Sequence, residues 1–239
     1  MITAQAAQAT ARLAGFGYLV IFVLAIVANF AVLEPLGANG DPASVAAGIA
    51  SNESIYRAAV AALMSVLIAD LVVAWALFVV LRPADANLAL LALMFRAAYT
   101  IAHIGVVLGL MSALSFATND ALSESFSAGA PALAFHFVAS HGVGFTMTLI
   151  FFGVHLVLLG ILIARAHYVP APIGWLASLA GAAYLVDGFA TILFGGFGPY
   201  ADVAPTVVIL VAILGEGALM LWLIVWGVTK ARFPTPAGT

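Results

Sequence analysis

The chain contains no cysteine. That excludes disulfides, thiolate metal sites and covalent attachment of c-type haem. Charge is scarce as well. Only 7% of the 239 residues are Asp, Glu, Lys or Arg, and Lys and Arg together number seven. So few cations leave no basic stripe for nucleic acid. There is no P-loop, dinucleotide fingerprint, HExxH or Ser-His-Asp arrangement. No polar stretch is long enough for a water-soluble domain, the longest running from Glu34 to Ser54. Apolar side chains fill the space: 65% of residues are hydrophobic and the mean hydropathy is +1.21.

Apolar runs of about 20 residues, long enough to cross a bilayer, recur along the chain. They predict six spans, roughly 12–33, 55–81, 87–116, 133–165, 171–195 and 204–228. Lipid cannot satisfy free backbone groups, so each span should be helical. The runs are continuously apolar and do not alternate, which argues against a β-barrel. The expected fold is an all-α polytopic transmembrane helical bundle, one domain over residues 1–239. The run after Arg12 is too long for a signal peptide and reads as a retained first span. Arg12, Arg82, Arg165, Lys230 and Arg232 all fall on one side, whereas Glu34, Asp41, Glu53, Asp120, Glu124 and Asp202 mark the other. An excess of Lys and Arg marks the cytoplasmic side, so both termini are expected inside.

Local signals punctuate these spans. Asp41-Pro42 reads as an N-cap followed by Pro at the first helical position, opening a short helix to about Ala50. Arg82-Pro83 should end span two, Pro170 and Pro172 open span five, and the run Gly195 to Pro199 close it. Trp175, Trp222, Trp226 and Tyr168 suit an aromatic belt at the inner interface. Gly15 with Gly17, and Gly105 with Gly109, suit close helix approach. Gly142 and Gly144 either thin span four for a ligand or admit a neighbour. Phe145, Phe151 and Phe152 read as lipid-facing or core. No internal repeat supports the inverted-repeat logic of many transporters.

Against this apolar background a few ionisable residues lie deep. At the helical rise, Asp70, Arg96, His155 and Glu216 are each about 14 to 18 Å from a span end. Such groups are costly in lipid and should face one another or a wet cavity. On span three, Arg96, Tyr99, Thr100 and His103 form one stripe; on span four, His141, Gly144, Thr148 and His155 form another. Arg96 is permanently charged and needs an anionic partner. One Arg cannot neutralise both Asp70 and Glu216, so either one carboxyl carries a proton or His155 shares the charge. The plainer alternative is that these groups only fix helix register, with His155 a satisfied core histidine and His136 an interfacial bystander. A second layer nearer the outer face contains His103, His141 and Asp187. These could form a two-His-one-carboxylate metal site, or His103 and His141 could ligate a b-type haem.

Several strings resemble a bacterial family of six-span membrane proteins, domain of unknown function 4386. They are Arg12 to Gly15, Asn52-Glu53 running to Arg57, and Leu81-Arg82-Pro83. Asn87 to Phe95-Arg96, Phe151 to Leu156, Gly181 to Asp187, and Gly215-Glu216 to Leu223 continue the likeness. It extends from about Arg12 to Gly227 and places Arg96, His155, Asp187 and Glu216 within its strings, whereas His103 and His141 are less clearly part of it. The resemblance implies a stand-alone, multi-pass protein of the bacterial inner membrane, and it supplies no activity. A looser likeness to seven-span lipid hydrolases lacks their paired-histidine spacing and one span.

Three functions fit these residues. One is a mid-membrane site of Asp70, Arg96, Tyr99, His155 and Glu216 that binds or moves protons or a small polar or amphiphilic ligand. Another is a membrane enzyme with a metal on His103, His141 and Asp187, acting on lipid. The third is a structural or accessory subunit. The lipid bilayer is the expected partner, no resident cofactor is expected, and no feature decides the oligomeric state.

Overall fold

A computed structural model describes residues 3–37, 40–127, 129–198 and 203–227. Among them every regular element is helical. α1 (Ala4–Ile26) passes into a π-helical segment (Val27–Leu33) and α2 (Glu34–Gly37). Then follow α3 (Pro42–Ser51), α4 (Glu53–Leu81), α5 (Ala86–Thr118), α6 (Asp120–Phe126), α7 (Gly129–Arg165), α8 (Ala171–Phe194) and α9 (Ala204–Val225). Among the described residues six helices are long and apolar enough to cross a membrane: Ala4–Gly37, Glu53–Leu81, Ala86–Thr118, Gly129–Arg165, Ala171–Phe194 and Thr206–Val225. They match the six expected spans. The first begins eight residues before Arg12, because the alanine-rich start propagates a helix readily. Pro199, Asp202, Lys230 and Arg232 lie outside the described residues.

The chain divides into two compact units. The first comprises Met1–Leu19, Ala69–Thr100 and Thr146–Thr239. Its α7 and α8 meet backbone to backbone. A Cβ on Gly153 would fall 2.8 Å from the Gly181 carbonyl, and one on Gly160 would strike the Gly174 carbonyl and Ser178 Oγ. α9 approaches α8 in the same way, where a Cβ on Gly215 would lie 2.6 Å from the Leu176 carbonyl. Lipid gives little hydrophobic drive for helix pairing, so close contact and dispersion hold these helices together. Gly15 and Gly17 of α1 are tight against Ile224 and Val73, as expected for close approach. Gly195 closes α8 at φ +69°, a left-handed cap that favours glycine.

Two belt residues behave differently from expectation. Trp175 and Trp226 are exposed, but Trp222 and Tyr168 are buried. Tyr168 donates to the Val80 carbonyl at 2.9 Å, one of the four at the end of α4 that have no partner within the helix. Beside it, between α4 and α5, Asp85 accepts from the Leu88 N–H at 3.0 Å and pairs with Arg165 at 2.5 Å.

The second unit comprises Val20–Ile68 and Ile101–Phe145. Asp41 caps α3 as the sequence predicts, accepting from the Ser44 N–H at 2.9 Å. α3 buries Val45 and Ile49 in a core with Ala28, Tyr56, Leu63 and Leu110. The Tyr56 hydroxyl, inside that core, donates to the Leu110 carbonyl at 3.0 Å. Gly144 admits Val106. Gly105 has nothing within 4 Å of an added Cβ, and Gly109 meets only Phe137 at 3.7 Å. Neither is the close-approach position that their spacing suggests; on a helix face with no nearby neighbour, spacing alone brings no contact.

Candidate functional site

Both polar stripes face inward. Arg96, Tyr99, Thr100 and His103 on α5 are buried, as are His141, Thr148 and His155 on α7. His136, off the stripe, is exposed.

Within the first unit, Arg96 has no solvent exposure at all. It donates to one Asp70 oxygen from Nε at 3.0 Å and from Nη2 at 2.6 Å. The other Asp70 oxygen accepts from Thr100 Oγ1 at 2.6 Å. Arg96 Nη1 donates to the Tyr18 hydroxyl at 2.6 Å and lies 3.3 Å from His155 Nε2. His155 Nδ1 is 2.8 Å from the Ala92 carbonyl. A carbonyl only accepts, so Nδ1 carries the proton and Nε2 is left to accept from Arg96. This geometry describes a neutral imidazole. Two aromatic rings flank the cation, the guanidinium carbon being 4.8 Å from the Tyr18 centroid and 5.0 Å from that of Phe152. A desolvated cation over a ring gains about 2 kcal/mol or more. The Arg96 cluster is closed: an anion, acceptors and ring faces surround one cation.

Glu216 stands differently. It is buried, its Oε1 accepts from the Tyr184 hydroxyl at 2.9 Å, and among the described residues it makes no ion pair with Arg96. Phe152 touches both groups. Its ring contacts Arg96 on one hand and the Tyr184 ring, at 5.9 Å, on the other. The same ring approaches Tyr99 at 4.9 Å and His155 at 5.5 Å. Sequence reasoning brings Asp70, Arg96, Tyr99 and His155 to one place and takes Phe152 only as lipid-facing or core. It omits Tyr18 and Tyr184; both sit on apolar helices where a hydroxyl needs a partner, which was the available signal.

Of the outer layer, His103 and His141 lie in the second unit with ring centroids 6.0 Å apart. His103 meets the edge of Phe145. Asp187 is part-buried on α8, in the first unit. Among the described residues no group of three or more His, Cys, Asp or Glu side chains could hold a metal ion. His141 Nε2 is buried with no hydrogen-bond partner.

No solved structure matches this chain. An uncharacterized protein of Archaeoglobus fulgidus is 26% identical over 162 residues, covering 68% of this chain and 79% of the relative. The profile of the family described as Domain of unknown function (DUF4386) matches residues 13–227, which take in the first long helix from residue 13, the other five whole, and every residue of the Arg96 and Glu216 groups. The chain belongs to that family, and it is a membrane protein of six candidate transmembrane helices.

Proposed function

We propose that this is a multi-pass protein of the bacterial inner membrane, both termini inside, whose working group is a mid-membrane carboxyl that takes up and releases a proton. That group is Glu216 with its Tyr184 partner. It serves uptake, export or sensing of a small polar or amphiphilic molecule. The observation that carries the reading is the division of labour between the two acids. Asp70 meets the whole charge of Arg96 with two donors on one oxygen and Thr100 on the other. Among the described residues Glu216 has a phenol and no ion-pair partner. A buried charge without a counter-ion is costly, so its proton is the one that exchange moves. The Arg96 cluster fixes the frame; a ligand there would have to displace a partner already in place.

Infrared difference spectroscopy between acid and alkaline buffer tests the reading. The full chain should show a pH-dependent carboxyl C=O stretch that is absent in Glu216→Gln and retained in shifted form in Tyr184→Phe. Persistence of the band in Glu216→Gln would refute it.

A further inference from the structure

The geometry points to a second binding site, a cleft for an ammonium-bearing amphiphile, built entirely within the unit of residues 20–68 and 101–145. A cavity of about 450 Å³ lies there, lined by Asn29, Glu34, Leu110, Phe135, Val138 and His141 among others. That volume is in the range of small-molecule pockets. The walls are apolar, and a few polar groups converge on them, as such pockets require.

The first segment is shaped for this purpose. Residues 27–33 are π-helical, and the Glu34 N–H bonds the Asn29 carbonyl. In an α-helix, residues five apart point about 140° away from each other. The wider turn brings positions 29 and 34 to the same cavity, and such turns are frequent at functional sites. Asn29 Nδ2 donates to the Ala25 carbonyl at 2.9 Å, and its amide oxygen can accept. The second segment is α7, where His141 is only 9% exposed and its Nε2 has no partner. That nitrogen has almost no accessible surface, so His141 lines the cavity with the rest of its ring.

The chemistry of the lining chooses the ligand. A carboxylate and an amide oxygen can both accept, and no Lys or Arg lines the cavity. An anion would meet Glu34 with no counter-charge. An alcohol carries one donor for two acceptors and no charge. A primary ammonium carries three N–H groups and a positive charge, and its bond to a carboxylate is charge-assisted. Leu110, Phe135 and Val138 suit the apolar body. A phosphate in the headgroup would have no cation to meet, which favours a free amine over an aminophospholipid.

Gly142 makes the assignment testable, because it lines the cavity and nothing lies within 4 Å of an added Cβ. A leucine there starts from a Cβ in open space and enters the cleft. The full chain, purified in detergent, is probed with octylammonium, octanoate and octanol by native mass spectrometry and by melting followed through tryptophan fluorescence. The wild type should bind one octylammonium and melt higher; octanoate and octanol should do neither. Gly142→Leu should lose the binding. Glu34→Gln, on an exposed position, should weaken it about tenfold or more, and it carries the test if the leucine variant does not fold. Equal octylammonium binding in the wild type and in both variants, or octanoate binding as tight as the amine, would overturn the proposal. So would phosphatidylethanolamine held one-to-one by the wild type and released by Gly142→Leu, which would assign the cleft to a lipid headgroup.

Discussion

Phe152 and Arg96 are partners: the phenyl centroid lies 5.0 Å from the guanidinium carbon, and the ring belongs to the same wall that reaches Tyr184. An apolar residue thus does two things here. It steadies a cation, and it packs against the Tyr184 ring whose hydroxyl holds the second acid. Phe152→Ala should lower stability by about 3–5 kcal/mol, and Phe152→Leu by less. Both should also move the pH midpoint of the Glu216 carboxyl band, which a purely structural phenyl would not do.

Breaking the Arg96–Asp70 pair one side at a time should be severe. Both side chains are nearly inaccessible, at 1% and 4% exposure. Arg96→Leu or Asp70→Leu alone should cost about 3–5 kcal/mol, because each strands a buried charge. The double variant should recover much of the loss. Melting of the three variants in one detergent checks this; a double variant no better than the worse single variant would contradict it.

His155 should be neutral, with its proton on Nδ1. The Ala92 carbonyl at 2.8 Å requires a donor and the arginine at 3.3 Å requires an acceptor. Nitrogen-15 NMR of labelled histidine distinguishes the tautomers. An imidazole protonated on both nitrogens at neutral pH would show that His155 shares the charge of the cluster.

Asp85 gives a pH dependence outside the spans. The Leu88 backbone N–H, with help from the Arg165 guanidinium, holds its carboxyl below the ordinary carboxylate range. A group whose folded-state value is lowered stabilises the fold above its unfolded value, about 3.9, and loses that contribution as pH falls through the folded value. Asp85→Asn should therefore melt lower than the wild type at neutral pH, and the gap should close in strong acid. A gap that widens in acid would reverse the sign.

The glycines divide into two classes. Gly160→Ala should destabilise, since its Cβ would strike the Gly174 carbonyl and Ser178 Oγ. Gly105→Ala has open space and should stabilise by about 0.5–1 kcal/mol through helix propensity. Paired melting curves decide it.

How much of this was legible beforehand depends on the kind of signal. Span number and most boundaries followed from hydropathy and from Pro, Gly and Asp at helix ends, because backbone chemistry fixes those locally. The pairing of Arg96 with an acid followed from the cost of a lone buried charge. Which acid pairs did not follow: Asp70 and Glu216 sit at matching depth, and depth says nothing of the rotation of α4 and α9. The true close-contact glycines, Gly153 with Gly181 and Gly160 with Gly174, recur seven apart on both α7 and α8. A single helix cannot show that pattern; it needs the facing partner. Likewise the π-helical segment has no period of its own that hydropathy would detect.

That segment carries a consequence for the evolution of the first helix. A stretch of i→i+5 hydrogen bonds behaves as an α-helix holding one surplus residue. Deleting a single residue between Val27 and Leu33 would let the strand of amides relax to ordinary winding without rotating the flanks. The same deletion a turn earlier would swing every following side chain by about 100°. Relatives of this chain should therefore differ in length by one residue here more readily than elsewhere in the first span, and those that have lost it should also have lost the adjacency of positions 29 and 34.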